Sequence, residues 1–259
     1  MMFAWCAVQG LDLRPGRDLR NAVITGLLLL LVGNGAVVWV EQTLPSSVVA
    51  IMIAVAPLMF VVMDRPQWRV NVRSPSVLLG VVAGFAGVWL LFSEKIAAQL
   101  HTSEVTPEIG AMLVMLLAIT GWPAGSIHAK YHPPAIPPAV NTGWQMLVGG
   151  TGFLVLSTAR GEWRGMDWSQ VPAMAWFSMA YLIVFGSIVG FSAYVWLLKV
   201  RPATQVSTYA YVNPMVAVLL GVWLGHEPLG WREIAGLVVI LGGVLLINLS
   251  RYGMGRSAR

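Results

Sequence analysis

The chain has 259 residues, 57% of them apolar and only 10% charged, against about 25% charged in a soluble domain. So few charges cannot cover so large an apolar content in water, and the same content excludes a disordered chain. One cysteine, Cys6, excludes a disulfide framework and a thiolate metal centre, and the net charge of +5 raises the question of where the basic residues sit.

A bilayer core takes about 20 apolar residues as helix. Eight stretches meet that length: Asn21–Val40, Ser46–Met63, Ser76–Phe92, Ile109–Ala129, Ala139–Ser157, Pro172–Leu198, Ala203–Leu224 and Trp231–Leu249. They predict an all-α integral membrane protein, because lipid offers no partners to an unpaired backbone and no strand-like alternation is present. Arg232 and Glu233, in the first turn of the eighth span, are the only charged residues inside these stretches.

The loops set the orientation. Taking the segment before the first span as inside, Arg14, Arg17, Arg20, Arg65, Arg69, Arg73, Lys130, Lys199, Arg201, Arg251, Arg256 and Arg259 are inside. Lys95, Arg160, Arg164 and Arg232 are outside, a split of 12 to 4. The positive-inside rule then puts the C-terminus in the cytoplasm, and the basic excess reads as topology rather than nucleic-acid binding. Met1–Gly10 is apolar, yet ten helical residues rise only about 15 Å, half of the core. It lacks the charged start and small-residue end of a signal peptide, and it reads as the cytoplasmic end of a helix whose beginning is absent.

A repeat runs through the chain. Trp39 and Trp196 are 157 residues apart, as are Pro45 and Pro202, and Pro57 and Pro214. With one residue of slip, Gly80 and Gly87 match Gly236 and Gly243. Spans one to three therefore recur as six to eight. A shift of five spans inverts the copies in the membrane, a pattern common in transporters. The first repeat covers 1–93 and the second 109–250.

The run Thr208–Gly221, then Gly225-His-Glu-Pro-Leu229 and Gly242-Gly-Val244, resembles the end of an EamA-type repeat of the drug/metabolite transporter superfamily. Gly33-Asn-Gly35, Glu41, Pro45-Ser46, Trp122, Gly125-Ser126 and Phe185-Gly-Ser187 fit the same family. The resemblance runs from about Gly10 to Arg251. It implies ten helices in two inverted five-helix repeats, an inner-membrane efflux or permease role, and a central cavity lined from both repeats. Against that pattern, the sequence is expected to start within the second helix, without the first.

Several residues are candidates for that cavity. Asn34 lies mid-span between two glycines that permit close helix approach. Glu41, at the outer end of the first span, could bind a cation or carry a proton if desolvated. Asn213 precedes Pro214 in the seventh span, and Trp122 precedes Pro123 in the fourth. Pro57, Pro123 and Pro214 are candidate kinks or gates, since each removes an amide donor. Trp39, Trp122, Tyr194, Tyr209 and Tyr211 would line the cavity, suiting amphipathic, aromatic or cationic solutes. Trp163, Trp168, Trp176 and Trp231 read as interface anchors, and Glu227 as a helix cap. His128, Lys130 and His132 lack a nearby carboxylate or cysteine, so no metal site, cofactor or catalytic residue is expected. The expected partners are a small-molecule substrate and the lipid bilayer, with no nucleic acid and homo-oligomerisation left open. The alternatives are a truncated or accessory membrane protein and, further off, a membrane-embedded lipid enzyme.

Overall fold

A computed structural model describes the chain apart from residues 45–48, 50, 51, 54, 72, 101–105, 165, 166, 211, 214, 215, 217–230 and 257–259. At 70, 88, 91–100, 106–109, 232, 233, 237, 244 and 248–256 it describes the backbone only. Helices account for the ordered elements, and no strand occurs among the described residues. Gly16–Val40, Gly110–Tyr131 and Ala173–Val200 are each long and apolar enough to cross a bilayer, and Pro75–Gly87 and Ile234–Ile247 are shorter apolar helices.

The chain forms two compact units, 1–35 with 124–201 and 36–123 with 202–259. The first unit holds α1 (Met2–Val8), α2 (Leu19–Gly26), a wide-turned π segment at Leu27–Asn34 and α8 (Pro138–Ala159). It also holds α9 (Ala173–Tyr181), a second π segment at Leu182–Phe191 and α10 (Ser192–Val200). Pro138 starts α8, where its missing N–H costs nothing, because the first amides of a helix have no internal partner. Small residues let the first span lie along α8. A Cβ on Gly26 would stand 2.6 Å from the Gln145 carbonyl oxygen, Leu30 rests on Gly149, and Gly35 lies against the Phe153 ring. These contacts advance together along both helices, so the two run parallel. Phe3 of α1 meets the Trp144 ring edge-on at 5.4 Å, and the Trp144 indole N–H donates to the Leu13 carbonyl at 2.9 Å.

Apolar side chains along α9 and the second π segment face outward. Met174 is 72% exposed, Phe177 68% and Leu182 61%. Water would penalise that surface and lipid would cover it. One end of the unit is tied by polar contacts: Asp18 accepts from the Ala135 and Ile136 amides at 2.9 and 3.2 Å.

The second unit holds α3 (Gly35–Val40, from Ala36 on), α4 (Ala56–Met63), α5 (Trp68–Asn71) and α6 (Pro75–Leu100). It also holds the first part of α7 (Thr106–Tyr131), α11 (Ala203–Val206) and α12 (Trp231–Arg256). α6 and α12 cross through glycines: Gly80 lies on Gly243 and Gly87 on Gly236. Gly80 pairs with the later glycine and Gly87 with the earlier, so the two helices are antiparallel. Val40, Leu44 and Val49 form a buried apolar cluster with Ala111, Met115, Ala118 and Ile119 of α7.

Several helices outrun their sequence-based limits. α6 continues past Phe92 to Leu100, α7 runs from Thr106 to Tyr131, and α12 continues past Leu249 to Arg256. Hydropathy marks where lipid ends, but a helix ends only where its backbone hydrogen bonds do.

Candidate functional site

Asn34 closes the first π segment and is exposed, with Gly33 buried beside it. The chain passes from one unit to the other directly after Gly35. Trp39 is half-buried and packs on the cluster around Val40 and Met115. Glu41 is exposed in the turn after α3, where its amide donates to the Val37 carbonyl at 2.9 Å.

Pro123 is buried inside α7 and lies at another passage between the units, directly before Ala124. Its ring leaves the Ile119 carbonyl without its usual helical donor. Nearby, the Thr120 hydroxyl donates to the Leu116 carbonyl at 2.7 Å, a back-bond that favours bending. The Trp122 and Tyr209 rings lie 6.5 Å apart at 55°, so the structure brings these two candidates together.

Tyr194 is buried, and its phenol shares a 2.5 Å hydrogen bond with the Ser126 hydroxyl. One turn on, the Lys130 ammonium donates to the Leu198 carbonyl at 3.4 Å and to the Arg201 carbonyl. These acceptors lie at the C-terminal end of α10, where a cation also meets the negative end of the helix dipole. Asn213 is exposed. Tyr211, Pro214 and Glu227, the last expected to cap a helix, lie outside the described residues. Pro57 stands in the first turn of α4, a position proline favours, and helical Met52 and Ile53 and a turn at Val55 precede it.

Three of the tryptophans expected to be interface anchors form a ladder. Trp163 and Trp168 stack at 6.3 Å, Trp168 and Trp176 at 6.0 Å. Asp167 holds the middle ring's segment by accepting from the Ser169 amide and hydroxyl and from the Gln170 amide group. These bonds favour the ionised carboxylate and hold its pKa below the ordinary value.

Sequence reading passed over one polar cluster. Thr25 of α2, with Asn141 and Gln145 of α8, is at most 4% exposed. The three line a pocket with half-buried Asn21 and with exposed His132 and Lys199 at its mouth. The Gln145 side-chain oxygen is buried there without a hydrogen-bond partner. The signal was available: Asn21 and Thr25, like Asn141 and Gln145, are polar pairs four residues apart, sharing a helix face inside apolar spans.

The EamA-like transporter family model matches residues 1–93 and 109–249. The inner membrane transporter YedA of Escherichia coli (strain K12) is 35% identical over 256 residues, covering 97% of this chain and 78% of its own. The WAT1-related protein At3g02690, chloroplastic, of Arabidopsis thaliana is 25% identical over 183 residues, covering 68% of this chain and 41% of its own. A crystal structure 16% identical in sequence superposes with a TM-score of 0.73, over 97% of this chain and 83% of that one, a likeness of fold alone. Apolar helices with outward-facing apolar side chains, together with these matches, place the chain in the EamA-like transporter family as a helical, multi-pass membrane protein that transports small molecules.

Proposed function

We infer that the protein is an inner-membrane exporter of metabolites or drugs that works by alternating access, with its C-terminus in the cytoplasm. Two inverted repeats, 1–93 and 109–250, would share the task. The observation that carries this reading is the α6–α12 crossing. Gly80 and Gly236 are repeat equivalents, as are Gly87 and Gly243, yet in space Gly80 meets Gly243 and Gly87 meets Gly236. Equivalent helices that meet antiparallel, each offering the other the same two positions, have the self-complementary form of a two-fold contact. A two-fold axis in the membrane plane is the geometry of inverted-repeat transporters.

The two π segments support the same symmetry. Leu27–Asn34 moved by the repeat offset falls within Leu182–Phe191. The substrate path would be lined by Asn34, Trp39, Glu41, Trp122, Tyr194, Tyr209, Tyr211 and Asn213, with Pro57, Pro123 and Pro214 as hinges. The basic inside loops support the orientation. The protein acts as a carrier, so solute should emerge chemically unchanged.

Counterflow in liposomes loaded with a panel of amphipathic and aromatic solutes tests this. Saturable exchange of at least one, recovered intact, is expected. No exchange across the panel would overturn the reading in favour of an accessory protein, and recovery of altered solute would favour an enzyme.

A further inference from the structure

The polar pocket of the first unit has a chemistry of its own, and none of the residues assigned to the substrate path lines it. Its floor is Thr25, Asn141 and Gln145, all nearly inaccessible. Burying three uncharged polar side chains together in an apolar bundle is costly unless they are satisfied. The Gln145 oxygen is not, so the floor calls for a hydrogen-bond donor. Close packing fixes this acceptor: Gly26 allows α2 to rest directly on the Gln145 backbone.

The space over the floor admits about one water-sized group before it opens to solvent. At the mouth stands the Lys199 ammonium. His132 also lines the pocket, its ring held by a 3.0 Å bond between Nδ1 and the His128 carbonyl and stacked on His128 at 4.2 Å. None of the described lining residues is a carboxylate.

We propose that this pocket binds a short α-hydroxycarboxylate, its hydroxyl donating to the Gln145 oxygen and its carboxylate paired with Lys199. The donor and the anionic group must lie only a few bonds apart, because the space admits about one water-sized group and Lys199 lines the same small pocket. A hydroxyl suits the floor better than an ammonium. A buried ammonium would lose its hydration with no carboxylate to meet it, and Lys199 would repel it, whereas a hydroxyl needs one acceptor and finds it.

The test is calorimetric titration of the whole chain in lipid nanodiscs with L-lactate, propionate, methyl lactate and L-alanine. Lactate should bind saturably. Propionate lacks the donor and methyl lactate the charge, and each should bind at least about tenfold more weakly, as should alanine. Lys199→Gln, at an exposed position, should weaken lactate about tenfold, and so should Gln145→Leu. Circular dichroism and size exclusion establish that each variant is folded. If Gln145→Leu fails to fold, Thr25→Val takes its place. Absence of saturable lactate binding, alanine binding as tightly as lactate, or lactate binding untouched by Lys199→Gln would overturn the proposal. Binding is read without transport, so these outcomes leave the exporter reading standing, and a failed counterflow assay would leave this one.

Discussion

Gly80 and Gly243 touch backbone to backbone, and the contact is reciprocal. A Cβ on Gly80 would stand 2.6 Å from the Gly243 carbonyl oxygen, and one on Gly243 would stand 2.7 Å from the Gly80 oxygen. Neither obstacle is a flexible side chain, so the helices themselves must separate to admit even a methyl group. Gly243→Ala should therefore destabilise the protein by about 1–3 kcal/mol. Gly242, one residue away, has nothing within 4 Å of its Cβ position, so Gly242→Ala should be neutral. Thermal unfolding of both variants in the same detergent checks the contrast.

The seventh span is tested by Asn213→Ala and Tyr209→Ala. Both should lower transport about tenfold, the loss expected for one good polar or aromatic contact to solute. Membrane insertion, read by fractionation, should be unchanged. If both variants transport normally, this segment does not line the path.

Glu41 is the assigned carboxylate at the outer end of the first span. Glu41→Gln should abolish any dependence of transport rate on external pH while leaving the rate at one fixed pH measurable. A pH profile identical to that of the parent protein would clear Glu41 of a proton role.

The Asp167 carboxylate titrates lower in the folded loop than in an unfolded chain, because Ser169 and Gln170 donate to its ionised form. Its contribution to loop order is complete above the ordinary carboxylate pKa and is lost as pH falls through the depressed value. Below pH of about 4 the tryptophan ladder should loosen, read as a change in indole fluorescence or faster hydrogen exchange at Trp168. Asp167→Ala should show the loosened state at neutral pH.

Much of the fold was legible because lipid imposes a length and a polarity that composition reveals directly. The apolar run Asn21–Val40 lies within a continuous helical stretch, as do Ala139–Ser157 and the start of the eighth span. Local departures were not legible. Nothing in Leu27–Asn34 distinguishes wide turns from ordinary ones, since the two differ in backbone pairing, which a run of apolar residue types does not specify. Proline reads alike at a helix start and at a break, so the sequence did not show that Pro57 would stand in the first turn of α4, with helical Met52 and Ile53 before it. For the candidate site, single residues were readable and their company was not. Trp122 and Tyr209 are 87 positions apart in sequence, and only the fold brings their rings together. The Gln145 cluster escaped notice because each member, taken alone, is an ordinary polar residue near a span end.

The wide-turned segments have a mechanical consequence. A π turn and an α turn differ by one residue of slack, so moving that slack along a helix turns the residues it passes by about 100° and slides them by about 1.5 Å. Asn34 is the last residue of the first such segment, and Ser192, whose buried hydroxyl lacks a hydrogen-bond partner, directly follows the second. Each span thus carries a built-in screw thread beside a polar side chain. A helix with such a thread can re-aim that side chain by winding, without breaking its run of backbone hydrogen bonds in lipid.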